Sequence, residues 1–227
     1  MQPYLFPYIG YFQLINAVDK FVLFDDVNYI NKGWINRNNI LMNGRAHLFT
    51  FPLKEASQNK LICQIELMND RNWKDKFLKT ISQSYKKSEY YSDVFPVITE
   101  ILNFESVNLS DYIYNSITKI NNYLGIGTEI VKSSAKYNNC SLKAQNRIIN
   151  ICEQELAVTY INPIGGVDLY DKKMFAESGI DLFFLKTNSI EYKQYDNGFV
   201  PWLSIIDILM FNSRVEARAL LNEYELI

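Results

Sequence analysis

Two adjacent carboxylates, Asp25 and Asp26, follow directly on the apolar run Lys20 to Phe24. Ligands of open α/β sheets gather at the carboxyl ends of strands. A carboxylate placed there can act as general base or coordinate Mg²⁺. The same pair also reads as a solvated strand end. Trp34-Ile35-Asn36-Arg37-Asn38 brings an indole, two amides and a guanidinium into five residues. Arg can hold a phosphate bidentately, and Trp and Asn suit a sugar's apolar face and hydroxyls. That composition fits a nucleotide-sugar pocket, or else a polar strand edge.

Further along, Tyr160-Ile161-Asn162-Pro163-Ile164-Gly165-Gly166 ends another strand candidate. A Gly-Gly loop there lets a ligand approach the backbone closely. Tyr170, Tyr192 and Gln194 can add hydroxyl and amide contacts. Ser204 and Asp207 stand three apart on an otherwise apolar helix, which should be buried. A buried carboxylate without partners is costly, so Asp207 needs a specific partner. That partner is structural, for example the Gly165-Gly166 turn, or Asp207 is catalytic. His47 lies in a strand, where alternation places it with Phe49 and Phe51. It reads as a packed histidine or as a second candidate base, and a dyad with Cys63 is a further option. Cys152, among Ile148, Ile149 and Ile151, reads as core.

These groups need elements to hold them. The N-terminal stretch Gln2 to Tyr11 is rich in proline and aromatics and reads as an ordered loop. Its Gly10 stands near a helix start, where backbone N–H groups can meet an anion. A helix over Tyr11 to Val18 leads into the strand Lys20 to Phe24. Strands Asn38 to Met42 and Arg45 to Leu53 are joined by Asn43-Gly44, the type I′ hairpin signature. Helices follow over Trp73 to Tyr85, Pro96 to Leu102 and Ser110 to Leu124, the last closed by Gly125. Then strands and helices alternate: Thr128 to Lys132, Leu142 to Glu155 with Ser141 as N-cap, Val158 to Ile161, Asp171 to Ser178, and Asp181 to Leu185. That order implies parallel strands with right-handed crossovers. Two helices close the chain, Trp202 to Phe211 and Arg214 to Glu223, with Ser213 between them as an N-cap. The fold class is α/β: a mostly parallel sheet flanked by helices, with an inserted antiparallel hairpin and a helical middle segment. One domain over 1–227 is expected, with 34–125 as a hairpin-plus-helices subdomain.

Composition bounds the function. The 227 residues are 48% apolar and carry a net charge of −2. That balance disfavours a phosphate-backbone binder, so no stable nucleic-acid partner is expected. Three cysteines stand far apart and the single histidine is His47, which excludes a Cys/His zinc site of the usual spacing. No metal site is assigned, and the residues identify no cofactor. G-x-G-x-x-G, P-loop and G-x-S-x-G patterns are absent. The longest apolar run is about half the ~20 residues of a membrane span. A soluble cytoplasmic protein is expected.

Four blocks, QPYLFPYIGYFQLI, DDVNYINKGWINRN, YINPIGGVDLYD and FVPWLSIIDILMFN, resemble the WbqC-like family of bacterial proteins in composition and order. The resemblance runs from Met1 to about Asn212. It implies a place in surface-polysaccharide (O-antigen) synthesis, with glycine transfer to an amino sugar as the suggested role. Family members often carry a few more residues before the Gln-Pro-Tyr block, reading like a first β-strand; here the chain starts at Met1-Gln2, and that strand at the edge of the sheet is expected to be missing. Its motif positions fall on Gln2, Tyr8, Gly10, Tyr11, Asp25, Trp34, Asn36, Arg37, Asn38, Tyr160, Asn162, Gly165, Tyr170, Tyr192, Gln194, Ser204 and Asp207. Pro7 to Tyr11 is further similar to the H-x-G-H region of nucleotidylyltransferases and class I synthetases, with tyrosine at both histidine positions.

The leading expectation is an amide-forming transferase. It moves a glycyl or similar acyl group from an activated donor to a nucleotide-linked amino sugar. Asp25 or Asp26 serves as base, with His47 second. Backbone N–H groups near Gly10 or Gly165-Gly166 serve the oxyanion. Arg37 holds a phosphate, and Trp34 and Tyr8 pack on the base or sugar. Two alternatives stand beside it: an amino-acid-adenylating or nucleotidylyltransferase-like enzyme, and a non-catalytic nucleotide-sugar binding module.

Overall fold

The computed structural model describes residues 1–68, 70–195 and 198–227. Helix α1 (Ile9–Asn16) leads into strand β1 (Lys20–Val22). The hairpin β2 (Arg37–Met42) and β3 (Arg45–Thr50) turns at Asn43 and Gly44, both at positive φ as the type I′ turn requires. Strands β4 (Leu53–Lys54) and β5 (Glu66–Leu67) form a second antiparallel pair. Three helices follow: α2 (Arg71–Tyr85), α3 (Tyr91–Asn103) and α4 (Leu109–Leu124). Gly125 ends α4 in the left-handed conformation. Then come β6 (Glu129–Val131), α5 (Ala144–Gln154), β7 (Thr159–Pro163), α6 (Lys172–Glu177) and β8 (Asp181–Thr187). Helices α7 (Ile205–Phe211) and α8 (Arg214–Leu220) precede a last strand, β9 (Tyr224–Leu226).

The class is mixed α/β, but the large, mostly parallel sheet is not what forms. β6 pairs in parallel with β1, and β7 pairs in parallel with β8. β9 closes the outer edge of β8 in antiparallel sense. The parallel strands therefore stand as two separate pairs, because β6 finds its partner in the N-terminal strand rather than in β7. Other expectations shift locally. Pro96 sits inside α3 rather than in its first turn. Lys143, not Ser141, precedes α5, and it offers no side-chain cap. Ser204 and Ser213 cap α7 and α8, the latter as a capping box with Glu216. One buried apolar cluster takes in Leu5, Ile40, Phe77, Ile117 and Leu209.

The N-terminal segment is threaded between β2 and α7. The amide of Leu5 donates to the Ile35 carbonyl (2.9 Å), and that of Ile205 donates to Pro7 (2.8 Å). Between them Phe6 is fully buried at φ 46°. A left-handed residue costs roughly 1–2 kcal/mol. Two donors meet its carbonyl, Asn38 Nδ2 (2.8 Å) and Ser204 Oγ (2.8 Å). At about 1 kcal/mol each they offset that strain. The turn at Phe6 then delivers Tyr8 as the residue before α1.

At the far end, Glu155 accepts from Lys136 Nζ (2.7 Å), from Lys20, and from the Tyr137 hydroxyl (2.6 Å). It thereby ties the start of β1 to the end of α5. Those donors hold its carboxyl down from 4.5 to about 2.

Two outcomes are expected. Ser204→Ala and Asn38→Ala should each cost about 1–2 kcal/mol in urea unfolding, and the double variant should cost more than their sum, because the second loss orphans a buried carbonyl. Glu155 is depressed relative to the unfolded chain, so its contribution is present above 4.5 and fades as pH falls towards about 2. Glu155→Gln should flatten the stability profile over that window.

Candidate functional site

The carboxyl ends of β1 and β6 lie side by side through their parallel register, Val22 opposite Val131. Asp25, just past β1, is buried at 2% exposure. Its Oδ1 accepts from Ser133 Oγ (2.6 Å) and from the Ser134 amide (3.3 Å), both just past β6. Burial pushes its carboxyl above the ordinary 3.8, and the Ser133 hydrogen bond opposes that rise. Ser133 is itself half-buried, and its Oγ also accepts from the Ala135 amide (3.2 Å).

Asp26 is committed differently. Its carboxylate accepts from the Ser134 hydroxyl and forms an ion pair with Arg147 of α5. Both side chains are nearly covered, at 10% and 7% exposure. Arg147 Nε is held by Asn139 Oδ1 (2.9 Å), and its guanidinium lies 4.6 Å from the centre of the Phe24 ring. Cys63 donates its amide to the Asp25 carbonyl (2.9 Å). Burial, then Asp25 and Asp26, push its thiol up, away from the thiolate a nucleophile needs.

The other expected residues fall into further groups. Tyr8 folds its phenol over Gly10, so that any Cβ at position 10 would meet Tyr8 Oη at 2.3 Å. This is why glycine stands there, at the open N-terminus of α1. Trp202, 71% exposed, packs 6.1 Å from Tyr8. Tyr11 is buried, with its hydroxyl on the Gln2 carbonyl (2.9 Å). In the loop after β7, Asn162 Nδ2 occupies the space a Cβ at Gly166 would need, at 1.8 Å, while Gly165 faces open space. Tyr160 donates to Asn162 Oδ1 (3.1 Å) and lies edge-on to Tyr170. Arg37 donates Nε to the Gly33 carbonyl (2.9 Å) and sits 5.6 Å from the centre of the half-exposed Trp34 ring.

Asn36 and Asn38 are buried and spent on structure. Asn36 accepts from Tyr29 (2.9 Å) and donates to the Phe51 carbonyl (2.7 Å). Asn38 and Ser204 meet at Phe6, as described. Asp207 does not reach the Gly165-Gly166 turn. It accepts from Tyr85 (2.8 Å), Tyr192 (2.6 Å) and Gln194 Nε2 (2.8 Å). Tyr85 also accepts from the Leu41 amide (2.8 Å), which links the carboxylate to the hairpin.

His47 falls elsewhere. It pairs with Ile40 on an exposed stretch of β3, where Phe49 is buried but residues 45 to 48 are not. Among the described residues β3 pairs only with β2, and its residues 45 to 48 are exposed although the opposite Ile40 and Leu41 are buried, so alternation does not carry His47 inward. No hydrogen bond joins it to Cys63 or Asp25 among the described residues. All three cysteines are free. Among the described residues no group of His, Cys, Asp and Glu is placed to hold a metal ion, and no helix is long and apolar enough to cross a membrane.

Arg147, Ser133, Ser134 and Tyr85 were not among the expected site residues. An arginine beside Ile148, Ile151 and Cys152 on a helix was a readable signal, because a buried cation demands a carboxylate. Ser133 and Ser134 end a parallel strand, the same rule that singled out Asp25. Arg147→Met should leave Asp26 buried and unpaired, at a cost of 3–5 kcal/mol on the order seen for broken buried pairs. Adding Asp26→Asn should recover part of that loss in the same unfolding measurement.

Compared with known proteins, the chain matches the sequence model of the WbqC-like protein family over residues 2–219. An uncharacterized protein of Mycobacterium tuberculosis is 28% identical over 213 residues, 93% of this chain and 91% of that protein. No solved structure matches it.

Proposed function

The chain belongs to the WbqC-like protein family, and from that premise we propose that it is a cytoplasmic acyl transferase forming an amide on a nucleotide-linked amino sugar for surface polysaccharide. The acyl group is glycyl or of similar size, delivered from an activated donor. The observation that carries the reading is the Asp25–Ser133 pair at the joined ends of β1 and β6. An ammonium must lose its proton before it can attack a carbonyl. A carboxylate raised by burial is suited to take it, and the half-buried Ser133 hydroxyl can pass it inward. The amine nitrogen then bonds to the acyl carbon, and collapse of the tetrahedral intermediate expels the donor's thiol or other leaving group. The first backbone N–H groups of α1 have no intrahelical partner and are the donors offered to the oxyanion, with the Tyr8 phenol over Gly10 moving aside. Arg37 and Trp34 offer a phosphate contact and a ring face to the acceptor.

Asp26 has a different part in this reading. Its ion pair with Arg147 fixes the loop that carries Asp25, so it positions rather than reacts. The adenylating alternative finds less support. Tyr11, at the position of the second histidine in H-x-G-H, has its hydroxyl turned to the Gln2 carbonyl.

The test is mass spectrometry of the protein incubated with a panel of nucleotide-linked amino sugars. One arm contains a glycyl thioester, and the other contains glycine, ATP and Mg²⁺. A glycylated sugar in the thioester arm alone is the expected result, and product only with ATP would favour the adenylating enzyme. Sugar-nucleotide binding without product in either arm would favour a binding module. Asp25→Asn should lower kcat by about 10²–10⁴ and erase an acid limb that lies above the ordinary aspartate range. Retained turnover with an unchanged pH profile would remove Asp25 as base.

A further inference from the structure

Trp202 is held in a conformation that folding alone does not call for. Its backbone lies in the left-handed region, at φ 60°, and the residue is 71% exposed. For a bulky side chain that region is a strained outlier, because Cβ crowds the following carbonyl. Asn43 and Leu156 also lie there, but a hairpin turn and a helix end account for them. Trp202 stands in the segment before α7, where neither is present. Strain of this kind persists only where the surroundings over-determine it, and such positions gather at functional sites.

Trp202 is fixed from both sides. Two residues earlier, Gln194 clamps Val200: its Oε1 accepts from the Val200 amide (2.8 Å) and its Nε2 donates to the Val200 carbonyl (3.1 Å). The same Nε2 donates to Asp207 in α7 (2.8 Å). On the other side Leu203 is buried, and the Ser204 amide donates to the Asn39 carbonyl (2.8 Å). The bond from Ile205 to the Pro7 carbonyl then brings Trp202 alongside Tyr8, with the two rings tilted at 55°. The indole makes none of these bonds. They hold the ring, and what they hold is a ring turned to solvent beside the phenol that covers Gly10.

We infer that Trp202 is the stacking platform for the sugar ring of the acceptor, next to the start of α1. The inference rests on the amide-transfer reading and names the group seated at that site. A sugar ring carries an apolar face of C–H groups and a rim of hydroxyls. An indole covers the face by dispersion and leaves the rim to water and hydrogen bonds. Chemistry places the sugar here rather than the base. The attacking amine is borne by the sugar, and the first N–H groups of α1, beside Gly10, are the donors offered to the oxyanion that the attack creates. A diphosphate separates the base from that amine and carries it away from α1.

The test is calorimetric titration with 2-amino-2-deoxyglucose linked to UDP, dTDP or GDP, each paired with the free nucleoside diphosphate. The unaltered chain is expected to bind at least one linked sugar more tightly than its nucleotide. Trp202→Ala is expected to lower affinity for that sugar about tenfold or more, with the free nucleotide changed less than about twofold. Trp202→Phe should keep most of the difference. Trp202→Gly should hold or raise the thermal midpoint, because glycine enters the left-handed region without strain. Equal losses for sugar and nucleotide would overturn the inference by placing the base on the ring. No loss in Trp202→Ala, or equal affinities for sugar and nucleotide in the unaltered chain, would overturn it and leave the acceptor reading standing. A midpoint lowered by several degrees in Trp202→Gly would overturn it by making the ring a packing element. Binding of none of these compounds would remove the acceptor reading and the inference with it.

Discussion

The carbonyl of Phe6 fixes the geometry on which the rest depends. A buried residue in the left-handed region persists only where its surroundings over-determine it. Here Asn38 from the hairpin and Ser204 from the cap of α7 converge on one oxygen. Three parts of the sequence, far apart in the chain, are locked by two hydrogen bonds. The bend they stabilise sends the backbone from the strand register of Met1 into the N-terminus of α1. Without it, Tyr8 and Gly10 would have no defined place at the start of α1.

Two buried carboxylates show how context divides like residues into unlike roles. Asp207 is enclosed by Tyr85, Tyr192 and Gln194, and burial raises its carboxyl while all three donors oppose the rise. Every donor is spent on packing α7 against the hairpin and the segment before α7. Asp25 is also raised by burial, yet its chief donor is the half-buried Ser133, which caps the turn after β6. The same shift is structural in one case and, on the proposed reading, serves proton transfer in the other. Asp26 sits between these cases, neutralised by Arg147 beneath the Phe24 ring. The site reading thus rests on which partners remain free to move a proton.

Much of the local structure was legible in the sequence. Asn43-Gly44, Gly125 and the Ser213 cap each demand a specific backbone geometry, and each delivers it. The buried apolar helix and the need of Asp207 for partners were legible too, since the cost of a lone buried charge is local chemistry. What was not legible depends on pairing at a distance. Nothing near β6 says that it will choose β1 over β7. Nothing near His47 says that β3 is left exposed while the facing residues of β2 are buried. The Tyr85 hydroxyl and the Arg147 guanidinium belong to helices whose partners lie far along the chain. The glycines were readable only as permissive positions. Their reason, room for the Tyr8 phenol and the Asn162 amide, is a three-dimensional fact.

The central claim is that the acceptor binds at the joined carboxyl ends of β1 and β6 and is reached by the start of α1. Hydrogen–deuterium exchange of the protein with and without a saturating nucleotide-linked amino sugar tests this directly. The account expects protection in Gln2 to Gly10, in Asp25 to Asp26 and in Lys132 to Ala135. Protection confined to the hairpin around His47, or none at these three segments despite measured binding, would contradict it.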